Sequence, residues 1–441
     1  MKMGHSAIDG IRVPVESYVA GLSQMFPRTN KLRVLESSIE KRFHTTHLPY
    51  NAGLGGFASD GYIEFRVPGS PGHLIDLSNL ALEIQGHIDN ADGTKTKATD
   101  HASLIDAAFH TMFKSISIYL NNAQVETCSM QGFRSYLKLL MNLPEHSKST
   151  LLKTMGYTSS KSIPNKIVEA SFTGTNALTT VDEKGFNFMS PIMCDIADCD
   201  AYLLDSIEIR IRLELASNKF ILNTDKSDAN QKLVIDHANL SVTKLKCMDS
   251  ALTALNEEMR TVPVKYLFNK TLMVTQAIAI GQTHVAIENP WHGTLPNSLA
   301  FAIVPMKSFH GEAASNSLYF GNHDLRKISL TVNNETLYSV STMFSQELYA
   351  SLYFHTINSL GQGRSHQLTH ELFKDGRTIA VFNLLPEKLK DSIALDKEGN
   401  LRLVLELGTA PTENLVLILL GDSQGVLRVD GNRDVAVDIR A

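Results

Sequence analysis

One unit occurs twice in this chain. The first copy reads Ser115-Ile-Ser-Ile-Tyr-Leu-Asn121-Asn122-Ala-Gln-Val-Glu and is followed by a helical stretch carrying Phe133, Tyr136, Leu137 and Leu140. The second reads Lys327-Ile-Ser-Leu-Thr-Val-Asn333-Asn334-Glu-Thr-Leu-Tyr, followed by Phe344, Leu348, Tyr349 and Leu352. Each copy predicts a strand, a two-residue Asn-Asn turn, a return strand and a helix bearing aromatic side chains. Asparagine tolerates positive φ, so Asn121-Asn122 and Asn333-Asn334 supply the turn that matches strand twist. Asn121 and Asn333 lie 212 residues apart in a chain of 441. A duplicated β-domain is the simplest fold with this property, and it points to architecture more than to chemistry.

The rest of the chain fits two such halves. Ile207, Ile209, Ile211, Leu213 and Leu215 alternate with charged residues, which places one face in a core and one in water. Leu401, Leu403, Leu405 and Leu407 repeat that pattern in the second half. Strands are predicted at 62–67, 80–88, 239–246, 266–274, 283–288, 299–304, 378–382, 414–420 and 426–429. Helices are predicted at 130–141 and 250–259, the latter with Asp249 or Ser250 as N-cap. Residues 13–25 form an amphipathic helix with Tyr18 and Leu22 on its apolar stripe. It packs either on its own subunit or on a neighbour. The Gly-rich stretch 48–61 reads as a flexible connection, and the polar region 145–200 as surface excursions. The predicted division is an arm and linker over 1–60, a first domain over 61–248, a helical connector over 249–263 and a second domain over 264–441. Many short strands with one helix per half indicate β-sandwiches of Greek-key or jelly-roll type.

Composition excludes several functions. A net charge of −5 without a basic block argues against direct nucleic-acid wrapping. The longest apolar run, Leu415 to Leu420, is too short to span a membrane. The first residues lack the apolar core of a signal peptide. Four cysteines are too few for a disulfide scaffold. His44 and His47 have the i, i+3 spacing of two ligands on one helix, but no third ligand is near. Cys194 and Cys199 lie in an acidic stretch without a second pair. Asp89 to Gly93 lacks the closing Glu of a calcium loop. No Gly-x-Ser-x-Gly elbow occurs. No catalytic residue, cofactor site or metal ligand is predicted, and the chain is expected not to be an enzyme. Trp291, the only tryptophan, sits beside Pro290 and is expected to form a corner or an interface anchor.

Several stretches resemble a known family, the double jelly-roll major capsid proteins of Polinton (Maverick) elements, adintoviruses and virophage-like viruses. Ile75-Asp76-Leu77-Ser78-Asn79 resembles the family's Asp-Leu-Thr/Ser segment. Phe113-Lys-Ser-Ile-Ser-Ile-Tyr-Leu-Asn121 is similar to its first hairpin, and Gly132-Phe-Arg-Ser-Tyr136 to the helix that follows. Tyr202-Leu203-Leu204-Asp205-Ser-Ile-Glu-Ile-Arg-Ile-Arg-Leu213 resembles Leu-Leu-Pro-x-Val-x-Leu-x-Ile-x-Leu, with Asp205 and Ser206 in place of the usual Pro-rich pair. Phe382-Asn383-Leu384, Gly399-Asn400-Leu401-Arg402-Leu403 and Val429-Asp430-Gly-Asn-Arg433-Asp-Val435 resemble the terminal run. Residues 145–200 match poorly.

The resemblance implies an all-β chain of two tandem eight-stranded jelly-roll sandwiches, with short helices in loops and an N-terminal helical arm. It implies a major capsid protein whose homotrimers have a pseudo-hexagonal outline and tile an icosahedral shell. Implied partners are further copies, a single jelly-roll penton protein and minor capsid proteins. The implied location is the virion, with synthesis in the host cytoplasm or nucleus and no secretion. Tyr136, Tyr349, Tyr353, Trp291, Tyr18 and Leu22 are the candidate subunit-interface residues, although the helices of Tyr136 and Tyr349 fit packing over the open end of their own roll better. A two-domain lectin is the alternative reading, and a β-sandwich hydrolase a third.

Overall fold

The computed structural model describes residues 38–51, 57–58, 61–143, 150–157, 165–172, 181–182, 184–199, 201–225, 230–361, 368–384 and 397–438. Eight strands of four residues or more come first: β1 (Ile39–His47), β2 (Tyr62–Val67), β3 (His73–Asp89), β4 (Phe113–Leu120), β5 (Ala123–Cys128), β6 (Phe186–Pro191), β7 (Ile209–Leu215) and β8 (Lys232–Cys247). They pair as two antiparallel sheets, β1-β8-β3-β6 and β2-β7-β4-β5. The next eight are β9 (Val264–Ile278), β10 (His284–Glu288), β11 (Ser298–Pro305), β12 (Leu325–Val332), β13 (Glu335–Ser341), β14 (Ile379–Asn383), β15 (Leu401–Leu407) and β16 (Leu415–Val429). They pair as β9-β16-β11-β14 and β10-β15-β12-β13. Each strand of the second set takes the place of the strand eight before it. The chain therefore contains two jelly-roll sandwiches of one topology, joined head to tail. A last strand, β17 (Val435–Asp438), extends β16's sheet.

The hairpins repeat down to single hydrogen bonds. Leu120 pairs with Ala123 across the first turn and Val332 with Glu335 across the second. Asn121 has φ +52, Asn333 +49 and Asn334 +68. The Asn121 amide donates to Glu208 O at 2.8 Å, and its side-chain oxygen accepts from the Glu208 amide at 2.9 Å. Asn333 does the same to Asn400, at 2.9 and 2.8 Å. A left-handed backbone and a short acceptor are needed at the same position, and asparagine supplies both.

Burial separates the two halves. The interior of the second sandwich is its own cluster, with Leu299, Phe301, Ile303, Leu403, Leu405, Leu417 and Leu419. The opposite face of the same sheet, with Ala300, Ala302, Val304, Val416, Ile418 and Leu420, belongs to the core of the first sandwich. Leu415 to Leu420 are consequently all buried, so the strand reads as an apolar run without alternation.

Several expectations are corrected. Ile39–His47 lies within the segment read as arm and linker, yet it pairs along β8 and closes the first sheet. Phe57 and Ala58, in the Gly-rich stretch, also pair with β8. Within 145–200, β6 joins the sheet and Ile192, Cys194 and Ile196 are buried. The helix after the first sandwich spans Asp249–Met259, with Met248 at its N-cap and no side-chain cap. The predicted 13–25 helix lies outside the described residues.

Replacing Asn121 or Asn333 with valine puts a β-branched residue at positive φ and deletes the acceptor, a loss of about 2–4 kcal/mol each. Glycine keeps the backbone and loses only side-chain bonds, one at Asn333 and two at Asn121, so its cost is expected near 1 kcal/mol at 333 and about 2 kcal/mol at 121. Thermal melting of the four single variants tests this; valine and glycine variants of equal stability would contradict the turn geometry.

Candidate functional site

The seam between the two sandwiches carries a buried network of charged side chains. It is built on the helix that follows the first hairpin, α1 (Gln131–Asn142). Leu137 and Leu140 of this helix reach the shared core. Arg134 and Lys138, one turn apart, share one acidic neighbour. Arg134 Nη1 donates to Glu126 Oε1 at 2.6 Å and lies 3.3 Å from Asp195 Oδ1, while Nη2 donates to Met193 O at 3.1 Å. Lys138 Nζ donates to Asp195 Oδ1 at 2.9 Å. The Asp195 and Ile196 amides donate to Glu126 Oε2 at 2.7 and 3.2 Å. Asp195 then crosses the seam, accepting from the Thr271 amide at 2.8 Å and its hydroxyl at 2.7 Å on β9.

The electrostatics follow from that arrangement. Burial pushes Asp195 up, but Arg134, Lys138 and the Thr271 donors outweigh it and hold its carboxyl below the ordinary range. Burial, with the adjacent Asp195 charge, raises Glu126 despite Arg134. Burial disfavours the Arg134 cation, yet Glu126 and Asp195 keep it firmly protonated.

Three further contacts cross the seam. The buried Tyr136 hydroxyl donates to Asp106 at 2.9 Å, and Arg377 of the second sandwich lies 3.7 Å from the same carboxylate. Tyr266 on β9 donates to Tyr202 O at 3.2 Å and accepts from the Leu204 amide at 3.1 Å. Arg433, at φ +65, pairs with Asp205 and donates to Asn256 at 2.9 Å, while its carbonyl accepts from Asn121 Nδ2 at 2.9 Å. One loop thus ties the second sandwich to the first hairpin and to the connector helix, α2 (Asp249–Met259). Every charge in these contacts is committed to a neighbour. The arrangement holds two bodies in fixed relation.

Most of the expected interface residues turn inward. Tyr136 is fully buried, against Phe320 of the second sandwich at 5.9 Å between rings. Tyr349 is buried and stacks on Phe344 at 5.1 Å. Tyr353 is half-buried, its hydroxyl donating to Leu368 O at 3.1 Å. Trp291 forms a corner inside the second core, where a Cβ on Gly421 would lie 2.9 Å from its ring. Aromatic rings serve a core as well as an interface, so sequence did not separate the two roles. Tyr18 and Leu22 lie outside the described residues. The exposed large apolar side chains of the second unit are instead Leu337 on the return strand, Leu348 just before the helix and Phe354 on it; of these the repeat pattern picks out Leu348 alone.

The metal-like motifs resolve into local structure. His44 and His47 lie on a strand, so an i, i+3 pair projects to opposite faces. His44 contacts Thr243 and His47 contacts Thr45, each at 3.0 Å. Cys194 and Cys199 are buried, at 4% and 6% exposed. Asp92 closes its own turn, accepting from the Thr94 hydroxyl at 2.6 Å.

Asp195→Asn leaves two seam cations short of an acid, an expected loss of about 3–5 kcal/mol at pH 7. Because the folded Asp195 titrates below its ordinary range, its contribution is fully present above about pH 4 and disappears as pH falls through the folded value. The gap in melting temperature between wild type and D195N should therefore be flat from pH 7 to about 5 and narrow below about 4. A gap that widens on acidification would contradict the assignment.

No family model and no curated protein matches the sequence. Solved structures do match. A chain of the Sputnik virophage superposes with TM-score 0.61 at 10% identity, covering 99% of this chain and 93% of that one. A chain of the PBCV-1 virus capsid gives 0.57 at 11% identity, covering 91% and 97%. The Faustovirus major capsid protein gives 0.55 at 7% identity, covering 88% and 90%. By fold, the chain is a double jelly roll of the kind found in these virophage and giant-virus capsid chains.

Proposed function

We propose that this chain is a major capsid protein, a subunit whose homotrimers have a pseudo-hexagonal outline and tile an icosahedral shell. The observation that carries the reading is the repeated eight-strand order, with the two sandwiches welded along a buried seam. Three such chains present six like lobes, so threefold symmetry packs in a nearly sixfold way. The viral capsid chains of the same fold support this role. In this reading residues 61–248 together with β1 form the first roll, 249–263 is the connector and 264–441 the second roll. The protein resides in the virion shell, after synthesis in the host cell. It meets further trimers, a penton protein at the fivefold vertices and minor capsid proteins. Its role is structural, without catalysis or a cofactor. No helix among the described residues is long and apolar enough to cross a membrane.

The lectin alternative has no observation in its favour. Trp291, the natural platform for a sugar ring, lies inside the second core.

The purified chain is expected to be a trimer at micromolar concentration. Size-exclusion chromatography with light scattering should give three times the 48.7 kDa chain mass, and negative-stain images should show pseudo-hexagonal particles. A monomer across that range would overturn the proposal.

A further inference from the structure

The two copies of the hairpin–helix unit have the same strand order and register but opposite burial. In the first sandwich Val125, Leu137 and Leu140 of the unit share one core with Ala300, Ala302 and Val304 on the outer face of the second sandwich's β9-β16-β11-β14 sheet. Ten of the twelve residues of α1 are buried. In the second sandwich the equivalent helix, α3 (Ala350–Leu360), buries only Leu352 and Thr356. The hairpins make the comparison residue by residue. Ile118 pairs with Glu126 and Leu330 with Tyr338, so Val125 and Leu337 occupy equivalent positions. Val125 is 5% exposed and belongs to the core that Val435 and Val437 of β17 also pack against. Leu337 is 47% exposed; Leu348 and Phe354, on the same unit, are 60% and 61% exposed.

The sheets carry the complementary asymmetry. The outer face of the second sandwich's sheet, covered by α1's unit, is buried and apolar through Ala300, Ala302 and Val304. The equivalent face of the first sandwich carries Ala81, Glu83 and Gln85, half-buried and alternating with the buried Leu82 and Ile84. Met189 of β6 pairs opposite Glu83 and is 47% exposed. Among the described residues, each chain thus contains one completed contact of helix unit on sheet face and the two uncovered halves of a second.

We infer that a second copy of this chain completes the second contact: the Leu337–Leu348–Phe354 face of one copy docks on the outer face of the β1-β8-β3-β6 sheet, around Met189, of the next. The halves lie on opposite sandwiches, so the contact is heterologous and propagates from copy to copy until it closes. This names the mating surfaces of the capsid-subunit reading and rests on it for the copy number. The exposed apolar triad is the anchor of the interface, and the polar sheet face makes that interface more separable than the seam within the chain.

Two variants test it. L337D/F354D disables the knob and M189R disables the socket. All three positions are exposed, so folding is expected to be intact by circular dichroism and melting; L337S/F354S replaces the first variant if aspartate impairs folding. Each variant alone should lose the trimer. Mixed, they retain one intact knob and one intact socket between them, and a one-to-one dimer is expected by light scattering. A knob variant that stays trimeric, or a mixture that stays monomeric, overturns this inference while leaving the capsid reading in place. A monomeric wild type overturns the capsid reading itself.

Discussion

Everything else in this molecule depends on a sheet with two dry faces. The β9-β16-β11-β14 sheet packs its own sandwich with one set of side chains and the first sandwich with the other. Each large apolar side chain so buried contributes roughly 1.5–3 kcal/mol, and the second face supplies a set of them that an ordinary sandwich leaves in water. The seam is therefore hydrophobic in bulk, with ionic contacts at chosen points. Glu126, Arg134, Asp195 and Lys138 are neutralised by one another. Ion pairs of this kind add less net stability than the surrounding apolar contacts, but they are intolerant of displacement. They fix where one sandwich sits on the other.

The same logic explains why a fold of modest chemistry needs unusual residues in a few places. The glycines at 421 and 425 stand where the rings of Trp291 and Phe268 occupy the space a side chain would need. Asparagines at 121 and 333 join a left-handed backbone to an acceptor that clamps the neighbouring strand. Arg433 reaches from the end of the second sandwich to Asp205 of the first.

The hairpins and the β7 and β15 strands were legible in the sequence because period-two alternation and Asn-Asn turns are local signals. What was misread had a non-local cause. β16 looked like two strands because glycines interrupt it, and their reason lies in rings elsewhere in the chain, Trp291 in a turn and Phe268 on β9. The first part of β3 was missed because the ladder shifts opposite Ser241 and Thr243. β1 and β6 lie in segments whose composition resembles linker, and only their partners make them strands. Arg134 and Asp195, the centre of the seam, are 61 residues apart with nothing periodic between them. The tyrosines at 136 and 349 were visible as large and amphipathic, but which way they turn is a property of the packed fold.

The opposed polarity of the two outer sheet faces means that the halves are no longer interchangeable. A tandem duplication begins with equivalent modules, either of which can stand first. Here one module's back is greasy and the other's is wet, so transposing them would hide polar groups and lay bare an oily surface. Order along the polypeptide is therefore a fixed trait of the molecule.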